Sequence, residues 1–329
     1  MNITAELLPW QQRDWEHLAR YVTAGRVPQA ILFAGHRGIG KHTLVYRFAH
    51  TLLCERPNPS GIACGECHAC GLTRAKTHPD CIELVPGEPG KAIKIDQIRQ
   101  IITVLSLKPQ YPAHRVVIVD PADQLNIAAV NAFLKFLEEP TERTVLLLIT
   151  DKPSRLPATL LSRCQKIFVA KPNHQQAESW LNDRGISKDA DLLLRIAQGA
   201  PLLALNYAND NTLKLRQQCF NELMAVAERR MHPVSAAERW QELDLTMLLT
   251  WLFGWVADLI KCRYRLPTEM LVNADANPHL NKLAKRLKLT DIYPFYDHLL
   301  VCRARLDTQI NKQLLIEELL LKWAKLNES

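Results

Sequence analysis

The sequence predicts an α/β domain built on a mostly parallel sheet, then a small helical module, then an all-helical domain. Three observations predict it. Up to about residue 170, short apolar runs alternate with segments of helical period; a glycine-rich loop lies between the first such strand and its helix; beyond Lys171-Pro172 only helical periodicity remains.

Taken in order, Gln11 to Ala24 carries Trp15, Leu18, Ala19 and Val22 at helical spacing. Ala30-Ile31-Leu32-Phe33-Ala34 is a continuous apolar run stopped by Gly35, as expected of a strand covered on both faces. A helix is expected from Lys41 to about Leu53, with Leu44, Phe48 and Leu52 on one stripe. Further strands are expected at Cys81 to Val85, Arg115 to Asp120, Val145 to Thr150 and Lys166 to Ala170. Helices are expected between them at Ile95 to Leu107 and Leu125 to Glu139. His174 to Asp183 and Lys188 to Gln198 read as short helices and the stretch from Leu213 onward as longer ones. Pro201, Pro233, Pro267, Pro278 and Pro294 mark expected helix boundaries. The expected domains are therefore 1–170, 171–210 and 211–329. The longest apolar stretch, Met247 to Ile260, carries Asp258 and is shorter than the roughly 18 to 20 residues of a membrane-spanning helix. Its segment Met247 to Phe253 suits either a core or an interface.

Composition narrows the class. With 47% hydrophobic residues, 23% charged residues and 12 glycines, the chain reads as globular and not as collagen-like, disordered or repeat-array protein. At 329 residues the length prior is about two domains of roughly 150 residues, with room for a third. The net charge of +7 invites a nucleic-acid partner, but the excess is spread over both halves without a basic tail. The start, MNITAELLPWQQRDW, lacks a basic region followed by an apolar one, so no signal peptide and a cytoplasmic location are expected.

Gly35-His36-Arg37-Gly38-Ile39-Gly40-Lys41-His42-Thr43 lies after a strand and before a helix, the context a phosphate-binding loop requires. Gly35, Gly38 and Gly40 let backbone N–H groups face phosphates, Lys41 stands where an ammonium reaches the terminal phosphates, and the helix N-terminus adds partial positive charge. The next position should supply a hydroxyl for magnesium. Here it is His42, a poor ligand for a hard cation, and Thr43 comes one residue late, turned by about 100° around the helix. Val116 to Val119 ends in Asp120, which matches a magnesium-holding acid, but Pro121 stands where a glutamate would polarise water. Both departures strike the same reaction. Asp123 is nearby, two residues beyond that position. The plainer alternative is an ordinary strand-turn-helix beside a buried strand.

Nine cysteines are present, and Cys54, Cys64, Cys67 and Cys70 cluster directly after the first domain's helix. Gaps of two residues let a tight turn aim both sulfurs at one ion, and four thiolates suit a closed, structural zinc site. His68 and His78 lie close enough to enter the ligand set, although four cysteines suffice. Ser162-Arg163-Cys164 closes the first domain. An arginine at a helix end can neutralise charge on a phosphoryl group in a neighbouring active site, but from spacing alone a solvated or salt-bridged arginine is the plainer reading.

Taken together, these residues resemble one family. Asn131-Ala132-Phe133-Leu134-Lys135-Phe136-Leu137-Glu138-Glu139-Pro140 and Ser162-Arg163-Cys164 are similar to signatures of the bacterial DNA polymerase III clamp-loader subunits, which are AAA+ proteins. The resemblance covers nearly the whole chain and is strongest over residues 28–170. Within the family the motor subunits, gamma and tau, keep an intact ATPase site, and His42 and Pro121 align this chain with the member whose site is degraded. Gly199 to Leu205 has only apolar side chains where the motor offers an arginine, and Thr150 matches the family's sensor position.

The resemblance implies a five-subunit ring that uses ATP to open the sliding clamp and place it on primed DNA. It implies motor and delta subunits as partners, with Arg163 acting in trans on a neighbour's ATP. It also implies a zinc module, a helical lid at 171–210, an oligomerising collar at 211–329 and a doubtful ATP site at Gly35, Gly38, Gly40, Lys41 and Thr43. Two other functions stay open at this level. One is an active ATPase served by Lys41 and Asp123; the other is a zinc-module nucleic-acid adaptor, although no aromatic residue occurs from Thr51 to Ile82 to stack on bases.

Overall fold

The computed structural model describes residues 6–88, 90–138, 141–306 and 311–328. The chain divides into two compact units, Met1–Gln176 and Ala177–Ser329.

In the first unit five parallel strands form one sheet: β1 (Ala30–Ala34), β2 (Cys81–Leu84), β3 (Arg115–Val119), β4 (Thr144–Thr150) and β5 (Gln165–Phe168). Their order is β2-β3-β4-β1-β5. β1, β3 and β4 are buried along their whole length, which is why they read as unbroken apolar runs instead of alternating ones. β5 lies at an edge and buries only Ile167, so Lys166 and Phe168 face outward and the strand stops short of Ala170. Helices α1 (Gln12–Thr23), α2 (Lys41–Leu53), α3 (His68–Arg74), α4 (Ile95–Leu105), α5 (Ile127–Glu138) and α6 (Ala158–Leu161) complete the unit. Glu139 and Pro140, the end of the resembling motif, lie outside the described residues.

The register matters more than the count. Ala34 sits opposite Thr150, and Val119 opposite Leu148. Because the strands are parallel, the loops leaving β1, β3 and β4 all emerge at one sheet edge, where ligands of open α/β sheets gather. At the other end of β3, Asp80 and Arg115 form a buried pair. The carboxylate of Asp80 accepts from Arg115 Nε at 3.2 Å and from the backbone N–H groups of Gln110 and Tyr111 at 3.1 and 2.8 Å. Arg115 also donates to the carbonyls of Val104, Leu105 and Leu107, so neither charge is left uncompensated.

The second unit is helical: α7 (His174–Asn182, from Ala177 on), α8 (Ala190–Ile196), α9 (Pro201–Asn209), α10 (Thr212–Ala227), α11 (Pro233–Trp240), α12 (Leu245–Arg263), α13 (Asn277–Arg286), α14 (Leu289–Arg305) and α15 (Lys312–Leu326). Pro201, Pro233 and Pro278 lie in the first turns of their helices and Pro267 precedes a 3-10 turn, as expected. Pro294 is a correction, because it lies inside α14. The missing N–H removes one backbone bond, which the burial of Ile292, Phe295 and Leu299 on either side offsets.

α12 also corrects a length. It runs 19 residues and meets the size and apolarity of a membrane span, yet Leu248, Leu249, Trp251 and Leu252 are core of the helical unit. Its one acid is structural. Asp258, fully buried, accepts from the backbone and side-chain nitrogens of Asn273 at 2.7 Å each and from Lys261 Nζ at 2.9 Å.

Burial holds the imidazoles of His50, His78 and His114 below the ordinary histidine range. The unfolded chain therefore binds more protons than the folded one as pH falls below about 6.5. The stability tied to these neutral rings is complete above that pH and declines beneath it. Urea denaturation of the full chain should show a lower midpoint at about pH 5.5 than at about pH 7.5, and an unchanged midpoint would contradict the assignment.

Candidate functional site

The glycine-rich loop fills the step from β1 to α2. A Cβ at Gly35 would stand 2.8 Å from the Val169 carbonyl oxygen, so only glycine lets the two backbones pass. Gly40 has φ of 94°, and a Cβ there would meet Leu8 Cδ1 at 2.2 Å and Gln11 Nε2 at 2.8 Å. The segment before α1 is therefore seated on the loop. Gln11 Nε2 donates to the Gly40 carbonyl at 2.7 Å and Trp10 Nε1 to that of Ile39 at 2.9 Å. Gly38 is half-buried in the loop, and Thr43 is half-buried in the first turn of α2.

Lys41 is 3% exposed and fully engaged. Its Nζ donates to the carbonyls of Gly35 at 2.9 Å and His36 at 2.8 Å and pairs with the carboxylate of Asp151, the residue directly after β4. An ammonium has three hydrogens, and these partners take all three. His42 Nδ1 lies 2.9 Å from Asp120 Oδ2 at the end of β3, so the residue in the hydroxyl's place is bonded to the acid that would hold magnesium. Pro121 comes next and has no carboxylate. Asp123 accepts from the Thr150 hydroxyl at 2.6 Å, and the oxygen of that hydroxyl accepts from Lys152 N at 3.0 Å. Behind them, burial and the neighbouring Glu83 raise the Tyr46 phenol above its ordinary value and keep it protonated. The cation that would reach phosphate is thus spent on Asp151, and the acid that would hold metal on His42. Sequence reasoning misses Asp151, although an acid directly after the apolar run Thr144 to Thr150 is the available signal.

The four clustered cysteines converge. Cys54 ends α2, Cys67 caps α3, and the sulfurs of Cys54 and Cys64 lie 3.6 Å apart, with Cys54–Cys67 and Cys64–Cys70 at 3.9 Å. All four lie within 4.8 Å of one another. A tetrahedral ion with bonds of about 2.3 Å sets its sulfurs about 3.8 Å apart, so the donor set fits a metal ion. Backbone N–H groups of Cys64, Cys67 and Cys70 donate to the sulfurs of Cys54, Cys64 and Cys67 at 3.3 to 3.4 Å, which stabilises thiolates. The N–H groups of Glu66 and Cys67 hold the Cys64 thiol down to about 6, while burial pushes that of Cys54 up. The two nearby histidines have other partners. His68 Nδ1 meets the Tyr111 hydroxyl at 3.0 Å, and His78 Nδ1 accepts from Asp80 N at 3.1 Å.

Arg163 comes just after α6, and its side chain is 39% exposed. Its guanidinium donates to the Thr159 carbonyl at 3.0 Å and pairs with Glu138, the last described residue of α5, at 2.7 Å. Cys164 beside it is buried, and burial pushes its thiol up to about 11.

A parallel sheet with a glycine-rich loop after β1, an acid after β3 and β4 between them defines a P-loop domain of the AAA+ type. Residues 10–173 match the family model described as DNA polymerase III, delta subunit, and residues 210–325 the one described as DNA polymerase III, delta subunit, C terminal. The chain is 34% identical over 329 residues to DNA polymerase III subunit delta' of Pseudomonas aeruginosa, covering 98% of each. It is 32% identical over 320 residues to DNA polymerase III subunit delta' of Escherichia coli K12, covering 95% of this chain and 94% of that one. A gamma-subunit-related DNA polymerase III protein of Thermotoga maritima superposes with a TM-score of 0.39 at 17% identity, over 95% of this chain and 99% of that one. The chain belongs to the DNA polymerase III delta' subunit family.

Metal analysis of the purified chain should give about one tightly held divalent ion per molecule. Cys67→Ser should lower that content and cut Tm by about 5–10 °C, or about 2–3 kcal/mol. A metal-free protein with an unchanged Tm on that substitution would remove the site.

Proposed function

We propose that the chain is a non-hydrolysing subunit of the DNA polymerase III clamp loader, one part of a ring that uses ATP to load the sliding clamp on primed DNA in the cytoplasm. Its partners in this reading are the gamma/tau motor subunits and delta, and it reaches the clamp and DNA through the complex. The observation that carries it is the pairing of Lys41 with Asp151 and of Asp120 with His42, which spends both the phosphate-reaching cation and the metal-holding acid internally. Gly35, Gly38, Gly40, Lys41 and Thr43 then keep the shape of a nucleotide loop without turnover.

Arg163 is the group this subunit lends. Its guanidinium is delocalised, permanently charged and partly exposed at the end of the first unit's sheet, which suits stabilisation of charge developing on a phosphoryl group held by a neighbour. Residues 171–210 serve as a helical lid and 211–329 as the oligomerising collar. The ion in the Cys54, Cys64, Cys67 and Cys70 site is zinc. A closed set of four thiolates leaves no position for water, so the metal folds the module and takes no part in catalysis.

The purified chain should show no magnesium-dependent ATP hydrolysis. In the reconstituted loader, Arg163→Ala should leave assembly intact and slow one ATP site by about 10³-fold, so that DNA-stimulated turnover falls to the share of the remaining sites. Arg163→Lys should recover little, because an ammonium lacks the planar fork. Turnover equal to that of the unaltered loader would sink the finger role, and hydrolysis by the chain alone, abolished by Lys41→Ala, would sink the non-hydrolysing reading.

A further inference from the structure

Glu138 and Arg163 come from different elements, Glu138 from the end of the described part of α5 and Arg163 from the step between α6 and β5. The backbone around Arg163 is anchored. Leu160 and Cys164 are buried in one apolar cluster with Phe133 and Phe136 of α5, and the Arg163 N–H donates to the Leu160 carbonyl at 3.2 Å. Where the guanidinium stands therefore depends on the torsions of its own side chain. A long arginine side chain keeps many rotamers unless contacts outside its backbone select one.

Two contacts make that selection. Nη1 donates to the Thr159 carbonyl at 3.0 Å, and Nη2 donates to Glu138 Oε1 at 2.7 Å. The Thr159 carbonyl also accepts from the Ser162 hydroxyl at 3.0 Å, so a backbone oxygen of α6 holds one corner of the guanidinium and a carboxylate of α5 the other. Holding two corners fixes the plane. Lys135 is exposed three residues before Glu138 on α5, yet among the described residues the two form no ion pair, and the carboxylate is committed to Arg163.

A guanidinium offers five N–H donors, and these contacts engage two of them. The other three have no partner among the described residues. Arg115 makes the contrast: it is buried and spends its donors on Asp80 and three carbonyls, which leaves nothing for a guest. Arg163 is oriented in the same manner but stays at the surface with donors in reserve. Glu138 takes it through one oxygen, whereas Asp191 closes on Arg195 Nε with both, at 3.1 and 2.9 Å. The contact thus holds the guanidinium without covering it.

We propose that Glu138 is a positioning residue for Arg163: it fixes the guanidinium in advance, so that the side chain has already lost its rotamer freedom when a neighbour's phosphoryl group reaches it. This inference rests on the role in trans proposed above for Arg163. Glu138 itself touches no nucleotide and acts only through the arginine.

The test is rapid-quench ATP hydrolysis by the loader reconstituted from full chains with primed DNA and clamp present. Glu138→Ala should move about one ATP per loader from the fast phase into a phase about 10-fold slower, with the KM for ATP unchanged, because ordering of the arginine bears on the transition state and not on nucleotide binding. Glu138→Gln keeps an acceptor oxygen in place and should restore most of the rate. In an Arg163→Ala background Glu138→Ala should slow that site no further, the non-additivity expected of residues that act as one unit. Glu138 is exposed, so Tm should stay within about 2 °C of wild type and assembly should be intact. A fast phase that Glu138→Ala leaves unchanged or enlarges overturns the proposal, as does an equal loss with and without Arg163. If Arg163→Ala itself spares the fast phase, the role in trans falls and this inference with it; if Arg163→Ala slows the site and Glu138→Ala does not, only the positioning role falls.

Discussion

The Lys41 ammonium has three hydrogens, and the architecture of the first unit's sheet edge turns on where they go. Two go to loop carbonyls and one to Asp151, so the loop is closed on its own cation with an internal carboxylate in the position of an anionic guest. That closure depends on the parallel register. β4 lies beside β1 with Ala34 opposite Thr150, which brings the residue after Thr150 within reach of a lysine that starts the helix after β1. It also sets the charge balance. Lys41 is almost wholly buried, and a buried ammonium without Asp151 would be an uncompensated charge. The His42–Asp120 contact solves the matching problem on the next strand: the acid left at the end of β3 finds a donor when no hydroxyl or metal chemistry is built around it. The segment Leu8 to Gln11 packs over Gly40 on the same loop.

Much of this is legible in the chain. The unbroken runs at Ala30 to Ala34, Arg115 to Val119 and Val145 to Thr150 are buried parallel strands, and their limits fall within a residue or two of those expected. The four cysteines converge as their spacing requires. The part that is not legible depends on tertiary neighbours. Asp151 is an unremarkable acid after an apolar run until the register sets it beside Lys41. Glu138 is one of several acids near a helix end until α6 returns and lays Arg163 against it. His68 and His78 are in sequence as close to the cysteines as the cysteines are to one another, but Tyr111 and Asp80 N claim their nitrogens. The passage of α14 through Pro294 has a related cause. Local rules stop a helix at proline, whereas the buried face of Ile292, Phe295 and Leu299 carries α14 through it.

Several buried polar groups of the second unit tie a long helix to a segment outside it. Glu222 of α10 accepts from the Trp240 indole at 2.7 Å, Trp323 of α15 donates to the Leu223 carbonyl at 2.9 Å, and Asp258 of α12 organises Val272 and Asn273. A core of leucines and tryptophans alone would tolerate sliding of one helix along another. These directional bonds select one register from the many that hydrophobic burial would accept.

The tether between Lys41 and Asp151 has a kinetic and thermodynamic side as well. A carboxylate fixed on the same sheet edge competes with dissolved anions at an effective concentration that short tethers commonly raise into the millimolar range or beyond. Any phosphate-bearing solute must displace it, and its apparent affinity is multiplied by the fraction of time the lysine stands free. The loop's occupancy is thereby written into the chain, and its shape is set by covalent connectivity instead of by the composition of the surrounding solution.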